Sequence, residues 1–86
     1  MKELFFEIKD KNGLHARPAG ALSEASRKYN CEITVKCDGK TANAKRLLSV
    51  MSLGATCGKV LNFTFDGEDE DSACNTIKNI LFEKLG

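Results

Sequence analysis

Apolar residues alternate with polar ones at Leu4, Phe6 and Ile8. A period of two predicts a half-buried strand over residues 2–8. Asp10-Lys11-Asn12-Gly13 has turn chemistry. The period then lengthens. Ala19, Leu22, Ala25 or Ser26, and Tyr29 recur at helical spacing, which predicts a helix from Ala16 to about Lys28 with Asn30 as its terminator. Ile33, Val35 and Cys37 return to alternation, and Asp38-Gly39 predicts a tight hairpin into a short strand over 40–43. Leu47, Leu48, Val50 and Met51 predict a short helix over 46–52, and Gly54 and Gly58 bracket a loop. Leu61, Phe63 and Phe65 predict a strand over 59–66 that turns at Asp66-Gly67. Ala73, Ile77, Ile80, Leu81 and Leu85 mark a last amphipathic helix over 69–84.

The order is strand, helix, strand, strand, helix, strand, helix. Each strand has one apolar face, so the sheet is expected to be covered on one side only, in a two-layer α+β domain. The 86 residues leave room for a single domain, 1–86. A net charge of +1 lacks the basic excess of a general nucleic-acid binder. No apolar run approaches the roughly 18 residues of a membrane span. The start, Met1-Lys2-Glu3-Leu4, does not resemble a signal peptide, so a cytoplasmic location is expected. Cys31, Cys37, Cys57 and Cys74 form no Cys-x-x-Cys pair. Without such spacing no metal site is expected; the four read as free thiols, with Cys57, among glycines, the most exposed.

The candidate chemistry lies in Gly13-Leu14-His15-Ala16-Arg17-Pro18-Ala19-Gly20. It contains the only histidine and the only proline of the chain. Proline is tolerated in a helix's first turn, which puts His15 at the mouth of the first helix. Free backbone N–H groups there, at Ala16 and Arg17, suit a phosphate, and Arg17 adds a permanent cation that can fork onto phosphate oxygens. A cap or a plain surface position remains the bland alternative for a lone histidine. The acidic run Glu68-Asp69-Glu70-Asp71 lacks the spacing of a calcium loop and reads as charge at the start of the last helix.

Gly13-Leu14-His15-Ala16-Arg17-Pro18-Ala19 resembles the active-site signature of the HPr family, histidine-containing phosphocarriers of the bacterial sugar phosphotransferase system. Val50-Met51-Ser52-Leu53-Gly54 resembles the family's interaction helix and the turn after it, and Asp38-Gly39-Lys40 its central hairpin. The resemblance spans essentially the whole chain. It implies an open-faced β-sandwich, an antiparallel four-stranded sheet in order 1-4-2-3 with three helices on one face. It implies a carrier rather than an enzyme, working without a cofactor. A phosphoryl group would reside on Nδ1 of His15, supplied by enzyme I charged from phosphoenolpyruvate and passed to a sugar-specific enzyme IIA. Arg17 matches the family arginine that contacts the phosphoryl group. Gly20, Lys45, Arg46, Leu47, Leu48, Met51, Ser52 and Gly54 fall on the expected partner-docking surface. Met51 suits a surface that fits several partners, and Arg17, Arg27, Lys45 and Arg46 form an expected basic rim. A monomer is expected, with no nucleic-acid partner and no membrane insertion.

One departure stands out. Gram-positive members often carry, at the start of the second helix, a serine phosphorylated by a regulatory kinase. Here that position is Arg46, a poor N-cap and no phosphate acceptor. Ser49 and Ser52 lie three and six residues away. Three alternatives share the expected fold: a carrier of a nitrogen-regulatory branch, a carrier of a dihydroxyacetone-kinase branch, and a non-transferring regulator. The intact His15 and Arg17 argue against the last.

Overall fold

The computed structural model describes residues Met1–Gly86. The elements are β1 (Lys2–Glu7), α1 (Ala16–Ser26), β2 (Glu32–Cys37), β3 (Lys40–Asn43), α2 (Leu47–Met51), β4 (Val60–Asp66) and α3 (Glu70–Leu85). All pairings are antiparallel and the strand order is β1-β4-β2-β3. The last strand therefore slots between the first two. Leu4 opposes Phe63 and Phe6 opposes Leu61 on one side, and Val35 opposes Phe63 on the other.

That register gathers the alternating apolar residues on one face. Phe6, Ile33, Val35, Leu61, Phe63 and Phe65 join Ala19 and Leu22 of α1 and Ala73, Ile77, Leu81 and Leu85 of α3 in one buried cluster. The other sheet face carries Thr34, Lys36, Asn43, Asn62 and Thr64 and stays partly or fully open to water. Phe5 breaks this polarity: it lies on the open face, 63 % exposed. The expected fold class holds, with α1 packed on both α2 and α3.

The element ends shift by one or two residues for identifiable reasons. The first helix ends at Ser26, not near Lys28. Lys28 and Tyr29 donate to Ala25 and Ser26 in tight three-residue turns, and the next two backbone N–H groups, of Asn30 and Cys31, are taken by the carboxylate of Asp69 at 2.7 and 2.9 Å. The long-range tether outcompetes another helical turn. Asp69 thus staples the end of α1 to the start of α3 in addition to sitting at a helix start. Its neighbour Glu70 accepts from the Gly67 N–H and pairs with the terminal ammonium of Met1. Asp38 and Gly39 both take positive φ, 51° and 80°, as a two-residue hairpin turn requires, and Asp38 pairs with Lys59.

All four cysteines are free: Cys31 and Cys37 are buried, Cys74 is half-buried, and Cys57 is exposed, as expected of it. Burial, then Asp69, pushes the Cys31 thiol up to about 11, and burial with Asp38 raises Cys37 as well. Both are packing residues held in the unreactive thiol form.

Candidate functional site

The loop between β1 and α1 turns from the core to the surface between Leu14 and His15. Gly13 and Leu14 are buried, and His15, Ala16 and Arg17 are exposed. Leu14 is the plug: its side chain enters the core, only 7 % exposed, and its N–H donates to the Ala55 carbonyl at 2.9 Å. His15 then points outward as the N-cap of α1, with φ −88° and ψ −174°. Its carbonyl accepts the first helical bond, from Ala19 at 3.1 Å.

A serine or aspartate at this position would fold back onto the first-turn N–H groups. The imidazole makes no such bond. Pro18 has no N–H to offer. The N–H groups of Ala16 and Arg17 are therefore left for an external acceptor beside an exposed ring, at the positive end of an 11-residue helix. No carboxylate lies within salt-bridge distance of Arg17 or Arg46. Free backbone donors at a helix start, with an exposed guanidinium and an exposed imidazole on neighbouring residues, are groups suited to a tetrahedral oxyanion.

The short α2 lies alongside α1, antiparallel to it. Its start is tied to the end of α1, where Arg27 donates to the Lys45 carbonyl at 3.1 Å. Beyond its end, Ala55 is tied to Leu14. Only Val50 of this helix is buried. Leu48 is 81 % exposed, Leu47 37 % and Met51 39 %. A one-and-a-half-turn helix cannot turn every apolar side chain inward, so three large ones face water. Ser52 and Gly54 are exposed at its end, and Gly20 is half-exposed on α1.

The expected basic rim is only partly free. Arg27 is spent on Ser23 and the Lys45 carbonyl, and the Lys45 ammonium donates to the Tyr29 carbonyl at 2.7 Å. These two cations clamp the connection before α2 to the end of α1. Arg17 and Arg46 are exposed, and their side chains make no hydrogen bond or ion pair. Arg46 is the N-cap of α2 and makes no capping bond. Sequence patterns did not reveal Ala55 and Thr56 as neighbours of the histidine loop. Both lie some 40 residues from it, and only the tertiary contact brings them there.

Comparison with known proteins agrees with this geometry. The family model described as the PTS HPr component phosphorylation site matches residues 3–83. The phosphocarrier protein HPr of Haemophilus influenzae is 43 % identical over 67 residues, 78 % of this chain and 79 % of that protein. The phosphocarrier protein HPr of Borreliella burgdorferi is 36 % identical over 74 residues, 86 % of each chain. The solved histidine-containing phosphocarrier protein of Mycoplasma superimposes with a TM-score of 0.93 at 33 % identity, over 95 % of this chain and 93 % of that one. With this fold, and with the family's signature at the mouth of α1, the chain belongs to the HPr family of phosphocarrier proteins, non-catalytic components of the phosphotransferase system.

Proposed function

We propose that Nδ1 of His15 is the phosphoryl acceptor, loaded by enzyme I from phosphoenolpyruvate and unloaded to a sugar-specific enzyme IIA. The lone pair of Nδ1 attacks phosphorus, a P–N bond forms, and the bond from phosphorus to the donor breaks with its electron pair leaving on enzyme I. The second transfer reverses these roles, with His15 as leaving group. Little covalent work falls to the protein, so positioning and charge compensation dominate. The N–H groups of Ala16 and Arg17 and the Arg17 guanidinium hold the phosphoryl oxygens. The observation that carries the reading is the exposed His15 at the N-cap of α1, whose imidazole makes no capping bond and leaves the helix-start donors free.

Leu47, Leu48, Met51, Ser52, Gly54 and Gly20 form the face on which both partners dock, rimmed by Arg46 and, at its base, Lys45. The protein acts as a monomeric, single-domain carrier in the cytoplasm, without a metal, nucleic acid or membrane insertion. Because Arg46 occupies the start of α2, the serine-dependent switch of Gram-positive relatives is absent. The test is incubation with enzyme I and phosphoenolpyruvate, with phosphate mapped by mass spectrometry. Acid-labile label on His15, abolished in a folded His15→Ala variant, is expected. Label that survives that substitution refutes the assignment.

A further inference from the structure

The loop bearing His15 is seated backbone against backbone on the segment that leaves α2. Gly13 is buried with φ +67°, and a Cβ built there would lie 2.7 Å from the Ala55 carbonyl oxygen and 2.9 Å from the Thr56 Cα. Both atoms are main chain, so no side-chain rotation relieves the collision. One residue on, the Leu14 N–H donates to that same Ala55 oxygen at 2.9 Å. One residue further, the His15 N–H donates to the Gly13 carbonyl at 3.0 Å. The imidazole is thus two residues from a contact that tolerates no added atom.

The other side of this contact is short and stiff. From Met51, the last residue of α2, the chain passes through buried Leu53 and buried Ala55 to Thr56. Gly54 N–H donates to Met51 and Leu53 N–H to Val50. Beyond, Lys59 N–H donates to Thr56, and Gly58 N–H to Ile8, which closes the segment onto β1. The segment from Leu53 to Thr56 is a strut between the exposed apolar helix and the histidine.

We infer that Gly13 is a positioning residue for phosphoryl transfer. By carrying no side chain it lets the histidine loop seat on the Leu53–Thr56 strut, which sets His15 at a fixed offset from α2. This inference rests on the proposed roles of His15 and α2. A partner that docks on α2 then finds the imidazole at a height fixed by two pieces of backbone rather than by flexible side chains. An added methyl at Gly13 must lift the loop by several tenths of an ångström and opposes the positive φ. Misplacement of this order moves the nucleophile off the in-line path while leaving the docking face intact.

The experiment is Gly13→Ala in the full chain, with thermal unfolding, steady-state transfer from enzyme I, and direct phosphorylation by the small donor phosphoramidate. In the folded variant kcat for transfer falls at least about tenfold and KM for the carrier changes less than about twofold. Phosphoramidate, which needs no docking, labels His15 at close to the parent rate. A kcat equal to the parent's in the folded variant overturns the inference and leaves Gly13 with a structural role alone. Should Gly13→Ala fail to fold, Gly58→Ala carries the test. Position 58, two residues past Thr56 and outside the docking face, has φ +91° with no atom within 4 Å of the added carbon, so it strains the strut's anchor on Ile8 without collision. The same selective loss of kcat is expected, and its absence overturns the inference. Failure of the parent protein to take label on His15 from enzyme I is a separate result: it refutes the phosphoryl-acceptor assignment itself, and positioning with it.

Discussion

Leu48→Ala separates a docking role from a folding role, because the structure makes the two magnitudes different. Leu48 is 81 % exposed, so folding hides about a fifth of its surface. Full burial of a leucine side chain contributes about 1.5–3 kcal/mol, so the share due to folding is about 0.3–0.6 kcal/mol. Alanine is the better helix former, which offsets part of that loss. The variant is therefore expected to keep its stability within about 0.5 kcal/mol of the parent. A partner covering the exposed remainder gains about 1–2 kcal/mol from the carbons that alanine lacks, or about 5- to 30-fold in affinity. Val50, on the same helix but 2 % exposed, supplies the contrast: Val50→Ala spends its effect on stability. The assay is urea unfolding beside steady-state transfer from enzyme I and to enzyme IIA. Leu48→Ala should raise KM by the stated factor with an unchanged unfolding midpoint. An unchanged KM for both partners, or a stability loss beyond about 1 kcal/mol, refutes the reasoning.

Further expectations follow from other contacts. Arg17→Ala should slow transfer by at least about tenfold, since a lost charge-assisted contact is worth about 1.5–3 kcal/mol, with little change in the unfolding midpoint; equal transfer rates would show the cation to be incidental. Gly20→Ala should raise stability by about 0.5–1 kcal/mol, because Gly20 lies inside α1 and an added Cβ meets nothing within 4 Å; calorimetry that shows a lower midpoint contradicts this. Asp69 and Glu70 are held below their ordinary values of 3.8 and 4.5, first by the N–H groups of Asn30 and Gly67 respectively. A depressed folded-state value means stability present at neutral pH and lost as pH falls below those ordinary values and through the lower folded-state ones. Asp69→Asn should flatten that acid loss in a pH series of urea melts, and an unaltered slope would contradict the staple. Arg46 should leave the protein inert to an ATP-dependent HPr kinase while enzyme I still loads it; stoichiometric phosphate on Ser49 or Ser52 would show that the switch had moved.

The staple at Asp69 and the strut at Ala55 share a logic. Each satisfies backbone donors of one segment with an acceptor from a distant one, and each fixes where a functional element begins or ends. Asp69 stops the chain from extending α1, and the Ala55 carbonyl seats the loop that starts it. Between these ends α1 presents His15 and Arg17 while its opposite face delivers Ala19, Leu22 and Ala25 to the core. The clamp of Arg27 and Lys45 around the start of α2 belongs to the same frame, which is why two of the four expected rim cations are occupied with main chain.

Patterns such as the alternation of Leu61, Phe63 and Phe65, the helical spacing of Ala73, Ile77 and Leu81, and the turn pair Asp38-Gly39 were together sufficient to predict every strand and helix to within a residue or two at the ends. Each is a local rule: side chains point where backbone geometry sends them, and burial selects the apolar face. The signature from Gly13 to Gly20 likewise announced its histidine, its cation and its helix start, since capping and proline placement are local too. Exposure of Leu47, Leu48 and Met51 was less legible, because a five-residue helix has too few turns for periodicity to sort core from surface. What only the folded chain decided were contacts between segments far apart in sequence: Asp69 with Asn30 and Cys31, Arg27 with Lys45, and Ala55 with Gly13 and Leu14. No pattern along the chain encodes which carbonyl a buried N–H will find. That choice is made when the sheet register and helix packing bring one acceptor within 3 Å and exclude the water that would otherwise have served.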